Sequence, residues 1–131
     1  TPVHDPPLTC AYVVLLSGCK LWAVLPPGTD RSSLFPTSGG DYDLSAADWF
    51  LRWDRGPPPG ARIFVQQPRE VVFVPAGWWH VVLNASDNVA LSRSLALERD
   101  FAFLDAGPAT ALERDRAEAL RAARTGGDNC V

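Results

Sequence analysis

Residues 63–95 read IFVQQPREVVFVPAGWWHVVLNASDNVALSRSL, and this stretch decides the fold. It holds four runs rich in β-branched and aromatic residues: Ile63–Gln66, Val71–Val74, Trp79–Leu83 and Asn88–Leu95. Turn residues separate them: Pro68-Arg69-Glu70, Pro75-Ala76-Gly77 and Ala85-Ser86-Asp87. Proline presets φ, glycine admits positive φ, and aspartate and serine bond to nearby backbone, so each break bends the chain. The runs are too short for ordinary helices and suit strands. Several short strands with regular breaks point to an all-β sandwich or barrel.

Working outward, Tyr12–Leu16 (YVVLL) and Lys20–Leu25 (KLWAVL) are two further predicted strands. Ser17-Gly18-Cys19 between them suits a hairpin turn. From 26 to 62 apolar density thins, and Pro26-Pro27-Gly28, Gly39-Gly40 and Pro57-Pro58-Pro59-Gly60 punctuate the chain. Ser45–Trp53 reads as a short inserted helix. Ser45 caps it, Asp48 three residues on makes an acidic variant of the capping box, and Trp49, Phe50 and Trp53 share one face. After Gly107-Pro108, Thr110–Arg124 reads as a helix, with Thr110 and Glu113 as a capping box and Gly126 as its stop. Its apolar stripe of Leu112, Ala119, Leu120 and Ala123 is narrow. The organisation expected is a β domain over 1–107 and a C-terminal helix and tail over 108–131.

The 131 residues suffice for one core. With 47% hydrophobic and 21% charged residues, the chain is neither a disordered tail nor a coiled coil. No apolar run approaches the roughly 18 residues of a membrane span. A net charge of -3 gives no general drive toward nucleic acid. Methionine is absent, so Thr1 is not a native start and the chain reads as a processed product or a fragment. Cys10, Cys19 and Cys130 form an odd set without CxxC spacing, which suits free thiols in a reducing, intracellular setting, nucleus or cytoplasm.

The side chains able to do chemistry are few. His4 and His80 are the two histidines, and Asp5 adjoins the first. Two histidines and one carboxylate make a facial set that suits non-haem Fe(II), although surface histidines are commoner than metal ligands. Lys20 is the single lysine among 12 basic residues.

The run FVPAGWWHVVLN, Phe73 to Asn84, resembles the distal part of the JmjC domain, a family of cupin-fold oxygenases. SGCKLWAVLPPG, Ser17 to Gly28, resembles the strands that follow the family's first metal motif. The likeness covers residues 2 to 96, with a divergent middle. It points to the phosphatidylserine-receptor-like branch of arginine demethylases and lysyl hydroxylases. It implies an incomplete double-stranded β-helix, a jelly roll of cupin type, carrying a short inserted helix and a C-terminal helix.

The resemblance further implies Fe(II) as cofactor and 2-oxoglutarate as co-substrate. The reaction implied is hydroxylation of a protein side chain, or N-demethylation, on a histone or another basic protein. Carried over by position, Asp5 and His80 match metal ligands, and Lys20 matches the lysine that grips the distal carboxylate of 2-oxoglutarate. Ser92 matches a second donor to that carboxylate, and Thr9 and Tyr12 fall on the cofactor side of the first strand. The pattern departs at Val3, which stands where the family's first histidine belongs, while His4 takes the variable position between. Neighbouring strand residues face opposite ways, so His4 joins Asp5 at one metal only through a local bulge. Val13 and Ser94 stand where the branch has asparagine. The alternative function is a JmjC-like binding or scaffold module without catalysis.

Overall fold

The computed structural model describes residues 9–35, 44–53 and 56–97, together with helical positions 115, 118–119 and 121–122 in the C-terminal stretch. Among these residues six strands form: β1 (Cys10–Ser17), β2 (Lys20–Leu25), β3 (Arg62–Gln66), β4 (Val71–Val74), β5 (Trp79–Asn84) and β6 (Val89–Leu95). They make two antiparallel three-stranded sheets, ordered β4-β1-β6 and β3-β2-β5. The fold is all-β, as expected, and the two sheets have the layout of a cupin-type jelly roll.

The expected hairpin between β1 and β2 does not form. β1 pairs with β4 and β6, whereas β2 pairs with β3 and β5. The Gly18-Cys19 turn carries the chain from one sheet to the other. Two features make this crossing. The register of β1 slips between Leu15 and Ser17, and Gly18 takes φ +87. A side chain at Gly18 would also collide with the backbone of Asp87 and Asn88, in the neighbouring β5–β6 connection. The connections β3–β4, β4–β5 and β5–β6 cross in the same manner.

Period-two alternation divides the sheet β3-β2-β5 into two faces. The outer face packs Ala23, Leu25 and Val81 against Leu34, Phe35, Ala46 and Trp49 of the helical insert. That insert contains α1 (Arg31–Leu34) and α2 (Ala46–Leu51). Ser45 caps α2 as expected: its hydroxyl accepts from the Asp48 backbone N–H at 3.1 Å and donates to the Asp48 carboxylate at 2.6 Å. Helix α1 was not anticipated. Asp30 starts it, accepting from the Ser32 N–H at 3.0 Å and the Ser32 hydroxyl at 2.7 Å. Trp49 Nε1 donates to the Leu34 carbonyl at 3.0 Å and ties α2 to α1. Each large side chain so buried contributes about 1.5–3 kcal/mol.

The inner face joins the sheets. Trp22 and Val82 from one meet Val72 and Val74 from the other, with Val13, Val24 and Trp78 around them. The buried Cys10 thiol donates to the Leu95 carbonyl at 3.4 Å, and neither Cys10 nor Cys19 is in a disulfide. Among the described residues, no helix is long and apolar enough to cross a membrane. The expected boundary at 107/108 and Cys130 lie outside the described residues.

Candidate functional site

Strand register fixes which side chains share the inner face. On β2, Lys20, Trp22 and Val24 stand opposite Asn84, Val82 and His80 of β5, and opposite Gln66, Phe64 and Arg62 of β3. Trp22 and Val82 lie in the core between the sheets, so the rows on either side of them face the same interior. Lys20 therefore shares the face of Trp22, while Leu21 turns toward the helical insert through its partner Leu83.

His80 is 6% exposed at the start of β5. Its Nδ1 lies 3.2 Å from the Trp78 carbonyl oxygen. A carbonyl oxygen only accepts, so this contact is a hydrogen bond in the form that carries a proton on Nδ1. Backbone anchoring of one ring nitrogen is the usual way to orient a metal-binding imidazole. The Trp22 ring stacks on it, with centroids 6.2 Å apart and an interplanar angle of 24°.

Lys20 is half-buried, and burial lowers the pKa of its ammonium from the ordinary value of 10.5. The ammonium donates to Asn84 Oδ1 at 2.7 Å. Val24, the strand partner of His80, lies four positions from Lys20, so the two backbone positions stand about 13 Å apart along the strands. The Trp22 side chain lies between them on the same face.

Ser92 sits on the facing sheet. It is in register with Val13, whose side chain packs against the inner core, so Ser92 is on the inner face, although exposed. The Val13 carbonyl accepts from Gln66 Nε2 at 2.8 Å, and Gln66 is in register with Lys20. These links bring Ser92 and Lys20 to the same level of the two sheets. Ser94 shares the face of Ser92. Thr9 is half-buried just before β1.

Tyr12 is placed elsewhere than the sequence reading put it. Val13 takes the inward position, so Tyr12 points to the outer face of its sheet. There it is 38% exposed and packs on Phe73 with ring centroids 5.6 Å apart.

His4, Asp5 and Val3 lie outside the described residues. Among the described residues no group of three or more His, Cys, Asp or Glu side chains is placed to hold a metal. Of the expected ligands, His80 alone is described, and its buried, backbone-oriented imidazole fits the part. The Lys20 ammonium, held in place by Asn84, fits a carboxylate, because a positioned cation attracts an anion.

Two residues of this face escaped the sequence reading. Asn84 holds the Lys20 ammonium from 64 positions away. Gln66 is fully buried and links the sheets. Polar amides at strand ends, Asn84 before Ala85-Ser86-Asp87 and Gln66 before Gln67-Pro68, give no local signal for either role. A cavity of about 350 Å³ adjoins the face, lined by Val24, Arg62, Phe64, Val72, Phe73, Val74, Pro75 and Trp78.

Comparison with known proteins agrees with this layout. Residues 60–94 match the family model "JmjC domain, hydroxylase". The chain is 36% identical over 104 residues to a bifunctional arginine demethylase and lysyl-hydroxylase of Caenorhabditis briggsae, covering 72% of this chain and 26% of that protein. It is 32% identical over 117 residues to a lysine-specific demethylase of Arabidopsis thaliana, covering 79% of this chain and 12% of that one. A 2-oxoglutarate and iron-dependent oxygenase of Gallus gallus is 27% identical over 100 residues, with 72% and 23% covered. The chain thus spans between about an eighth and a quarter of the length of these relatives. The matched segment contains β3 to β5 and most of β6, His80 among them, and so the chain carries part of a JmjC domain.

Proposed function

We propose that the chain is the metal- and co-substrate-binding part of an Fe(II)- and 2-oxoglutarate-dependent oxygenase that modifies protein side chains. One observation carries this reading: a buried, backbone-oriented imidazole and a half-buried ammonium share one inner face of the jelly roll. Fe(II) with 2-oxoglutarate and dioxygen supplies oxidation of an unactivated C–H bond, the co-substrate leaving as succinate and carbon dioxide.

This chain's residues have separate tasks. His80 offers Nε2 to the metal while the Trp78 carbonyl holds the ring. Asp5 adds a carboxylate, and His4 adds a second imidazole only if the chain bulges there. Lys20 pairs with the distal carboxylate of 2-oxoglutarate, and the Ser92 hydroxyl donates to the same group. Thr9, half-buried just before β1, falls on the cofactor side of that strand. Trp22 and Val82 exclude water between the two ends. The substrate on this reading is a protein modified on arginine or lysine, a histone or another basic protein, in the nucleus or cytoplasm; relatives named as arginine and lysine demethylases support the protein part of it.

The test is conversion of 2-oxoglutarate to succinate with added Fe(II), measured on the parent chain, His80→Ala and Lys20→Ala. Turnover in the parent that is lost in His80→Ala and rescued in Lys20→Ala only by excess 2-oxoglutarate supports the reading. A parent chain that neither turns over nor binds Fe(II) overturns it in favour of a binding or scaffold module, the outcome that Val3 in the first-ligand position favours.

A further inference from the structure

Gln66 is the one fully buried polar side chain of the described core, at 0% exposure, yet its strand β3 is otherwise exposed. A buried amide costs stability unless its groups are bonded. Here they are. Trp22 Nε1 donates to Gln66 Oε1 at 2.9 Å, and Gln66 Nε2 donates to the Val13 carbonyl at 2.8 Å and the Glu70 carbonyl at 3.0 Å. The orientation of the amide is forced, because an indole only donates and backbone carbonyls only accept. The Glu70 carbonyl also accepts from the Leu15 N–H at 3.2 Å, and the Arg69 N–H donates to the Leu15 carbonyl at 2.8 Å. Gln66 is thus anchored to β1 and to the β3–β4 turn, which docks on β1.

The consequence falls on Trp22. Close packing confines the Trp22 indole, which is 2% exposed. The bond from Nε1 to a fixed acceptor adds a direction to that confinement and sets the tilt of the ring. Phe64 stacks on the Trp22 ring at 6.2 Å with a 4° interplanar angle, and His80 stacks on it at 6.2 Å. The Trp78 carbonyl at Nδ1 and the Trp22 ring against its plane therefore both orient His80.

We infer that Gln66 is a positioning residue for the His80 imidazole, acting through Trp22. This rests on the oxygenase reading where metal is concerned, but the orientation itself is a property of the chain alone. The Gln66 amide is committed to the Trp22 indole and to two backbone carbonyls, so its influence on His80 passes through Trp22. It fixes the plane from which the imidazole presents its basic nitrogen, and misplacement by a fraction of an ångström weakens a metal site.

The experiment uses the whole chain without metal, with NMR of the His80 ring and the Trp22 indole, and then with Mn(II) added. In the parent, the Trp22 indole proton exchanges slowly with solvent and the His80 carbon-bound ring protons are displaced by the Trp22 ring current. Gln66→Met keeps the volume and removes all three hydrogen bonds. It moves the His80 ring signals toward unstacked values while the amide signals of β4 and β6 stay dispersed. Mn(II) affinity, read by titration calorimetry, falls several-fold in the same variant.

Unchanged His80 ring signals in a folded Gln66→Met chain overturn the inference. Should that variant not fold, fast exchange of the Trp22 indole proton in the parent overturns it equally. If the parent binds Mn(II) and Gln66→Met binds it as tightly, positioning fails and the oxygenase reading stands. If the parent binds no Mn(II), the oxygenase reading fails and the metal-free signals still decide the role of Gln66.

Discussion

The Lys20 ammonium donates to the side-chain carbonyl of Asn84 at 2.7 Å, across registered positions of β2 and β5. An amide oxygen stabilises an ammonium without neutralising it. The pair keeps a half-buried cation on the inner face and leaves its charge available to an anion. Lys20→Ala should weaken 2-oxoglutarate binding by about 1.5–3 kcal/mol, the range for hydrogen bonds to charged groups. Asn84→Asp should weaken it too, because the new carboxylate competes for the ammonium and repels the dicarboxylate. Titration calorimetry measures both, and tighter binding in Asn84→Asp would remove Lys20 from the co-substrate site.

Burial lowers the Lys20 pKa from 10.5. A bound carboxylate favours the ammonium form and raises that pKa again, so binding takes up protons in the alkaline range. Affinity for 2-oxoglutarate should be constant near neutrality and fall as pH rises toward 10.5, with the decline starting below that value. Without ligand the sign reverses. The unfolded chain binds the proton more tightly there, so stability gains slightly as pH rises through the same window. Calorimetry in buffers of different ionisation heat reads the proton uptake, and a release of protons on binding would contradict the assignment.

Gly18 has φ +87, and a methyl group there meets the backbone of Asp87 and Asn88. Gly18→Ala therefore imposes a strained backbone and a clash that no side-chain rotation relieves. The expected loss is about 1–3 kcal/mol, seen as a lower urea midpoint with unchanged slope. A midpoint equal to the parent's would mean that the Gly18-Cys19 crossing has room the structure does not show.

Arg69 is the one non-glycine residue with positive φ among the described residues, at +75. It follows Pro68 in a turn closed by the Glu70 N–H donating to the Gln67 carbonyl at 3.1 Å. Proline followed by a residue at positive φ is the pattern of a type II turn, where glycine is favoured. Arg69→Gly should raise stability by about 0.5–1 kcal/mol, the relief of strain exceeding the entropy that glycine adds to the unfolded chain. Urea unfolding of the variant decides it, and a loss would show that the Arg69 side chain contributes contacts outweighing the strain.

The residues show which parts of this molecule were legible from sequence. β2 and β4 begin and end where the run of apolar residues and the flanking turn residues say they should, because those signals are local. The Ser45 cap was legible for the same reason. The partner of β2 was not. Ser17-Gly18-Cys19 is short enough for a hairpin, and only the slip in β1 and the packing of Gly18 on the β5–β6 connection send β2 to the other sheet. Tyr12 was misplaced because alternation fixes relative faces, and the inward parity of β1 is set by Val13 packing on the cluster between the sheets. Lys20 was legible as the lone lysine, but Asn84 and Gln66 acquire their roles from strand register across 64 and 53 positions.

The remaining ligands of the proposed metal site turn on parity. In an extended strand Val3 and Asp5 point one way and His4 the other, so alternation gives the metal Asp5 and His80 and withholds His4. Two protein ligands are one fewer than a facial triad, and metal affinity falls accordingly. A bulge ahead of Pro6-Pro7 restores His4 to the set. Turnover should therefore be slow in the parent chain and dependent on His4. Fe(II) binding and succinate formation are to be measured on the parent, His4→Ala and Val3→His. Loss of both in His4→Ala identifies His4 as a ligand brought round by a bulge. No change in His4→Ala, with tighter metal binding in Val3→His, identifies a strand in regular alternation that has lost its first ligand to valine. Fast turnover that survives His4→Ala would exclude both arrangements and require a third ligand from outside residues 3–5.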